Sequence, residues 1–236
     1  MLKWCRRLHN WLGLILVVQI LLWFLSGLVM AILPIEQIRG EHLRTSPTAA
    51  WHDAQVSPAT LLAQHSAAAS FSLSQQLSLN DSKLGAMPVY VIDDANQRFR
   101  YSAGSGQILS ALAESDIRDL AQAQYLGSGQ LRHSQLLSEL PQEVKNLTPP
   151  LWQVQFADSD NTTFYIEPAT GAIARVRTSG WRLFDFFWML HIMDYQDRSN
   201  FNNPLLISTA AASLLFTLTG LIMLWQRYRP RLRLRV

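Results

Sequence analysis

Apolar positions along this chain are not spread evenly. Every position from Trp11 to Leu33 is uncharged, and so is every position from Pro204 to Trp225. As helices, each run spans roughly 33 Å, enough to cross the ~30 Å hydrocarbon core of a bilayer. Two membrane helices are therefore predicted, over 11–33 and 204–225, and no third run of this kind exists. A purely soluble protein and a many-helix transporter are both excluded. Asn203 can cap the second span, and Pro204 suits its first turn.

The segment between the runs has a mixed pattern. Helical periodicity over Pro58–Ser70 precedes strand-like stretches near 72–80, 89–93 and 97–101. A second helical stretch, Ser115–Tyr125, precedes strands near 131–137, 152–157 and 163–166. Val89-Tyr90-Val91-Ile92 and Trp152-Gln153-Val154-Gln155-Phe156 carry the β-branched and aromatic content of strands. The two halves share a ten-residue pattern. Phe99 to Ile108 and Phe164 to Ile173, offset by 65 positions, each place an aromatic seven residues before a glycine and an isoleucine two after it. Gly106 and Gly171 can supply the positive φ of a tight turn. The fold class is a membrane-anchored α+β protein: two transmembrane helices flanking a domain of two helix-plus-antiparallel-sheet units. The expected boundaries are a basic tail 1–10, helix 11–33, linker 34–57, unit 58–113, unit 114–179, amphipathic helix and connector 180–203, helix 204–225 and basic tail 226–236.

The two apolar runs themselves share a feature. Ser26-Gly27-Leu28-Val29-Met30 and Thr219-Gly220-Leu221-Ile222-Met223 both read hydroxyl, glycine, two aliphatics, methionine, a step that lets another helix approach closely.

Charge then fixes an orientation. The chain has 20 basic and 17 acidic residues. All 17 acids lie between the runs with twelve of the basic residues, so that segment is net −5. The other eight, Lys3, Arg6, Arg7, Arg227, Arg229, Arg231, Arg233 and Arg235, sit in the tails without an acid. The formal +3 is thus no sign of a nucleic-acid partner; it marks two collars beside lipid. Both termini are expected in the cytoplasm of a bacterium, the middle segment in the periplasm, and the helices in the inner membrane. The first run is longer than a signal-peptide core and has no close A-x-A site, so it is expected to remain as an anchor. The single cysteine, Cys5, lies outside the exported segment, which is left without disulfides.

Three features carry a resemblance to the PepSY-associated transmembrane family. Arg7-Leu8-His9-Asn10-Trp11-Leu12-Gly13-Leu14 opens the first span. Thr170-Gly171-Ala172-Ile173 is similar to the turn of a PepSY domain. Leu190-His191 comes shortly before a last span holding Thr219-Gly220-Leu221 and ending in Trp225 and arginines. The resemblance implies a periplasmic PepSY-like domain and, by similarity to ferric or siderophore-iron reductases of the family, b-type haem held by histidines of the membrane helices. Larger reductase-like members have four or more spans, where this chain has two. PepSY domains attached to protease propeptides imply a binding or inhibitory role instead.

Six histidines can be weighed against that implication. His42, His52, His65 and His133 lie in polar sequence without metal-ligand spacing, and are expected as ordinary surface or satisfied residues. There is no zinc pattern, phosphate loop or nucleophile–base set. His9 adjoins the first apolar run beside Arg6 and Arg7. It reads as an interfacial histidine or as an axial haem ligand whose arginine neighbours meet a propionate. His191 lies in an aromatic stretch where Phe184, Phe187 and Trp188 share its helical face. It reads as part of an amphipathic interfacial helix or as a ligand in a cofactor site that includes Trp188. The two histidines are expected at opposite membrane faces, so one chain cannot clamp one haem between them. A homodimer or a partner membrane subunit would complete the ligand sets. The expected function is a component of transmembrane electron transfer linked to iron or respiratory reduction. The alternatives are a non-enzymatic binding or assembly module and a periplasmic protease regulator.

Overall fold

A computed structural model describes residues 2–95 and 97–228. The arginines expected in the C-terminal collar at 229, 231, 233 and 235 lie outside the described residues. The chain divides into two compact units, one of residues up to Pro34 with those from Leu183 on, the other Ile35–Arg182.

The first unit is helical. Helix α1 (Leu2–Ile32) and the last helix (Pro204–Tyr228) are the two candidate spans, and only 11% and 6% of their most apolar stretches are buried within the chain. Such exposure suits lipid and not a soluble core. They run antiparallel, because His9 and Gly13 of α1 meet Gly220 and Phe216. A Cβ at Gly13 would lie 3.1 Å from the Phe216 ring. The last helix begins as its sequence predicts: Asn203 Oδ1 accepts the Leu206 amide at 2.8 Å, and Pro204 follows it. The Asn203 side-chain amide also donates to Ile192 O at 3.0 Å, tying the end of the preceding helix to the cap.

The second unit contains two antiparallel sheets. The first has strands β1 (Ser70–Asn80), β2 (Lys83–Asp94) and β3 (Gln97–Ser102) in the order β1-β2-β3. The second has β4 (Gln130–Leu137), β5 (Leu151–Ala157), β6 (Thr163–Ile166) and β7 (Ile173–Arg177) in the order β4-β5-β6-β7. Asp81 and Ser82 both have positive φ, as a two-residue hairpin requires. The short helices α2 (Ile35–Ile38) and α3 (Pro58–Leu62) precede the first sheet, and α4 (Glu114–Gln124) precedes the second. Ile117 and Ala121 of α4 pack with Val154, Phe156, Phe164 and Val176 in the main core. Helix α5 (Ser179–Ile192) leaves this unit and enters the other, and the last helix is α6.

The repeat offset by 65 positions is real at the level of single hydrogen bonds. Gly106 donates to Ser102 O at 2.8 Å and Gly171 to Glu167 O at 2.9 Å. Ser102 donates to Gln107 O at 2.9 Å and Glu167 to Ala172 O at 3.0 Å. The two glycines have φ of 74° and 70°. One turn has been built twice.

Three expectations need correcting. The helix over 58–70 stops at Leu62, because His65 and Ser66 are pulled into tertiary bonds with Asp94. Strand β2 begins at Lys83, well before the predicted Val89, and runs through Pro88. That proline is tolerated because the ladder to β3 starts only at Val89, so β2 has one strand partner there. The stretch 34–57 is not a free linker beyond Pro34. Ile38, Leu43 and Ala49 are buried, Thr45 donates to Gln124 O, and Val56 donates to Ala103 O. These bonds reach both halves, and Leu77 N to Thr170 O at 2.8 Å joins β1 directly to the second turn. Strand β7, which follows the turn at Gly171, completes the second sheet.

Candidate functional site in the helical unit

The two hydroxyl–glycine steps of the spans each face a histidine. On α6, Thr219 and Gly220 face His9. The Nδ1 of His9 lies 3.0 Å from Thr219 Oγ1 and 3.1 Å from Phe216 O. Its ring stacks on Phe216 with centroids 4.2 Å apart, and a Cβ at Gly220 would sit 3.2 Å from His9 Cε1. On α1, Ser26 and Gly27 face His191 of α5. The Nδ1 of His191 lies 3.0 Å from Ser26 Oγ, and a Cβ at Gly27 would sit 3.7 Å from His191 Cε1. The expected close approach at these steps is therefore made by an imidazole ring.

The hydrogen bonds fix the tautomers. Thr219 Oγ1 donates to Phe216 O at 2.7 Å, so its proton is committed. A carbonyl only accepts, so His9 Nδ1 carries a proton and donates. Ser26 Oγ likewise donates to Leu22 O at 2.7 Å, which makes His191 Nδ1 the donor to Ser26. With Nδ1 as the donor, the Nδ1–H tautomer of each ring carries its lone pair on Nε2. A histidine held through Nδ1–H presents Nε2 as the nitrogen that could ligate a metal.

His191 also lines a cavity of about 490 Å³ with Trp23, Phe24, Trp188, Ile192, Phe201 and Leu206. The walls are fixed: Trp23 Nε1 donates to His191 O at 2.8 Å, Trp188 Nε1 donates to Arg198 O at 3.1 Å, and Phe201 meets Trp188 edge-on. An apolar, aromatic space with one imidazole suits a flat hydrophobic cofactor that takes an axial nitrogen ligand. Arg6 and Arg7, beside His9, are both exposed. His9 and Ser26, which holds His191, are separated on α1 by roughly 25 Å at helical rise. The structure thus keeps the two histidines at separate levels.

Sequence reasoning singled out His9, His191 and Trp188 but not Phe216, Phe201 or Gln19. The Gln19 side-chain amide nitrogen is buried without a hydrogen-bond partner on α1, between the two histidine levels. A polar side chain in the middle of a long uncharged run was the available signal. Of the other histidines, His42, His52 and His133 are exposed. His65 is half-buried and satisfied, with Nε2 2.9 Å from Tyr101 OH and Nδ1 3.3 Å from Asp94 Oδ2.

Two long lipid-exposed helices, bracketing a two-sheet α+β body, define a membrane protein with a folded extramembrane domain. A sequence model of the PepSY-associated TM region matches residues 6–236, and the chain belongs to that family. No curated protein and no solved structure matches it.

Proposed function

We propose that this protein binds b-type haem in its membrane helices and serves as a component of transmembrane electron transfer linked to iron or respiratory reduction. The observation that carries the reading is the shared geometry of His9 and His191: each Nδ1 is engaged by the hydroxyl of a Ser/Thr–Gly step, the arrangement in which Nε2 would serve as the ligand. Such a haem supplies reversible one-electron storage. The chain's own residues hold and orient. Ser26 and Thr219 set the two tautomers, and Gly27 and Gly220 leave room for the rings. Trp23, Trp188 and Phe201 exclude water beside His191. Arg6 and Arg7 offer guanidinium groups for a carboxylate near His9.

A single chain supplies one histidine at each level. A homodimer would supply two at each, and a partner subunit could do the same. The basic tails and acidic middle support an inner-membrane placement with both termini cytoplasmic and Ile35–Arg182 periplasmic.

The test is the visible spectrum of detergent-extracted protein from haem-replete cells. A Soret band and a reducible α-band are expected. His191→Ala should remove a large part of them, and Ser26→Ala should keep the haem but shift its midpoint potential. Colourless wild-type protein would sink the reading, and a stoichiometric co-purifying subunit would then favour the binding-module alternative.

A further inference from the structure

A second cavity, of about 420 Å³, lies wholly within the sheet-bearing unit and is lined by Arg39, Glu41, Arg44, Arg175, Arg177 and Trp181 among others. Arg39, Arg44 and Arg175 set three guanidinium groups against the one carboxylate of Glu41, an excess of two positive charges before Arg177 is counted. We propose that this cavity binds a phosphoryl anion, a site independent of the haem reading.

The pocket is built by a glycine. Gly40, at φ +68°, lets the chain press against the edge strand β7, where a Cβ would come within 2.5 Å of Val176 Cγ1. That approach sets Arg39 and Glu41 on either side of the contact. Arg44 donates from Nη1 to Ile173 O at 3.2 Å, and Arg175 from Nη1 to Ala174 O at 2.7 Å. Arg177 forms a fixed wall: its guanidinium lies 3.8 Å over the Trp181 ring, with Nε donating to Glu143 O at 2.9 Å. Among the described residues, Arg39, Arg44 and Arg175 form no ion pair. Glu143, whose backbone carbonyl receives Arg177, has its carboxylate engaged by Arg182 and Tyr165.

Arg44 and Arg175, each bonded to a backbone carbonyl, and Arg39 leave guanidinium donors for an oxyanion. A tetrahedral phosphoryl group offers more acceptor oxygens than a carboxylate and matches the excess charge better. The volume leaves room for the group to which the phosphate is esterified. Arg39 follows soon after the last residue of α1, and Arg177 comes just before the first residue of α5. An anionic lipid headgroup and a free phosphate are thus the two sources of the same chemistry.

The full chain in neutral-detergent micelles is titrated with inorganic phosphate and, separately, with short-chain phosphatidylglycerol, with phosphatidylcholine as the control. Saturable binding of phosphate assigns a free oxyanion; saturable binding of phosphatidylglycerol alone assigns a lipid headgroup. In either case the Arg44→Gln/Arg175→Gln double variant should bind at least tenfold more weakly, and Glu41→Gln should bind more tightly. If the double variant does not fold, Arg39→Gln, an exposed side chain, should still weaken binding severalfold at an unchanged melting temperature. Absence of binding to both probes, or equal affinity in folded variants, overturns the proposal.

Discussion

Glu143 organises a buried polar junction whose cost of removal can be worked out. Tyr165 has no exposed surface, and its hydroxyl donates to Glu143 Oε1 at 2.7 Å while accepting from Gln153 Nε2 at 2.9 Å. Arg182 grips the same carboxylate with two bonds of 2.9 and 3.0 Å. In Glu143→Ala the Tyr165 hydroxyl becomes a buried donor without an acceptor, costing about 1–3 kcal/mol. The ion pair adds less, because the Arg182 side chain is 39% exposed; screening limits it to about 0.5–1 kcal/mol. The sum is about 2–4 kcal/mol, or a fall of roughly 5–12 °C in melting temperature for a body of this size. Near-UV circular dichroism of the full chain in detergent reads the melt. The decisive measurement is the double-mutant cycle. If the orphaned hydroxyl is the main cost, Glu143→Ala should be milder by about 1–2 kcal/mol in a Tyr165→Phe background. Strict additivity would refute the reasoning. An alkaline signature accompanies it. Burial first, and the bond to Glu143 second, push the Tyr165 hydroxyl well above its ordinary 10.0. The unfolded tyrosine ionises near 10 while the folded one keeps its proton. This stabilisation is therefore complete below pH 10 and is lost as pH rises toward the folded value. Tyr165→Phe should flatten that loss.

Gly171→Ala should destabilise the two-sheet body by about 2–4 kcal/mol, from the left-handed backbone together with overpacking. Its φ is +70°, and the added methyl would meet Leu120 Cδ1 at 2.7 Å. A melting temperature within about 2 °C of wild type, the shift of the smallest resolvable cost, would contradict this. Asp194 accepts the amides of Asn200, Ser199 and Asp197, which hold its carboxyl down to about 2. Its contribution to the 193–203 loop is present above pH 3.8 and is lost as pH falls through about 2. Amide hydrogen exchange of residues 197–200 should accelerate over that window, and Asp194→Asn should remove the dependence.

Much of the architecture was legible because it rests on local signals. Two uncharged runs announce the helices, and Asn203-Pro204 announces the start of α6. The paired aromatic–glycine–isoleucine pattern announces the duplicated turn, since φ above zero there demands glycine. What stayed hidden depends on long-range partners. His65 and Ser66 end α3 through Asp94, the last residue of β2 and nearly thirty positions further along the chain, so helical periodicity overran the true end. Residues 35–57 look like a polar, alanine-rich spacer, yet backbone groups of Thr45 and Val56 find carbonyls far along the chain. At the candidate site, His9, His191 and Trp188 stood out by residue type. The pairing of each ring with one Ser/Thr–Gly step did not, because the packing of α1 against α6 and α5 decides it. Phe216 carried no signal, as one phenylalanine in an apolar helix looks like any other until its neighbour is known.

The twin turns carry unequal burdens. Gly106 closes its own sheet beside Val56 and Leu61, whereas the copy at Gly171 also receives Gln124 and sits beneath Leu77 and Leu112. A duplicated piece has thus become the rivet between siblings. Neither half can be trimmed away as a spare, and heat or protease should find a single cooperative breaking point where the sequence suggests two interchangeable modules.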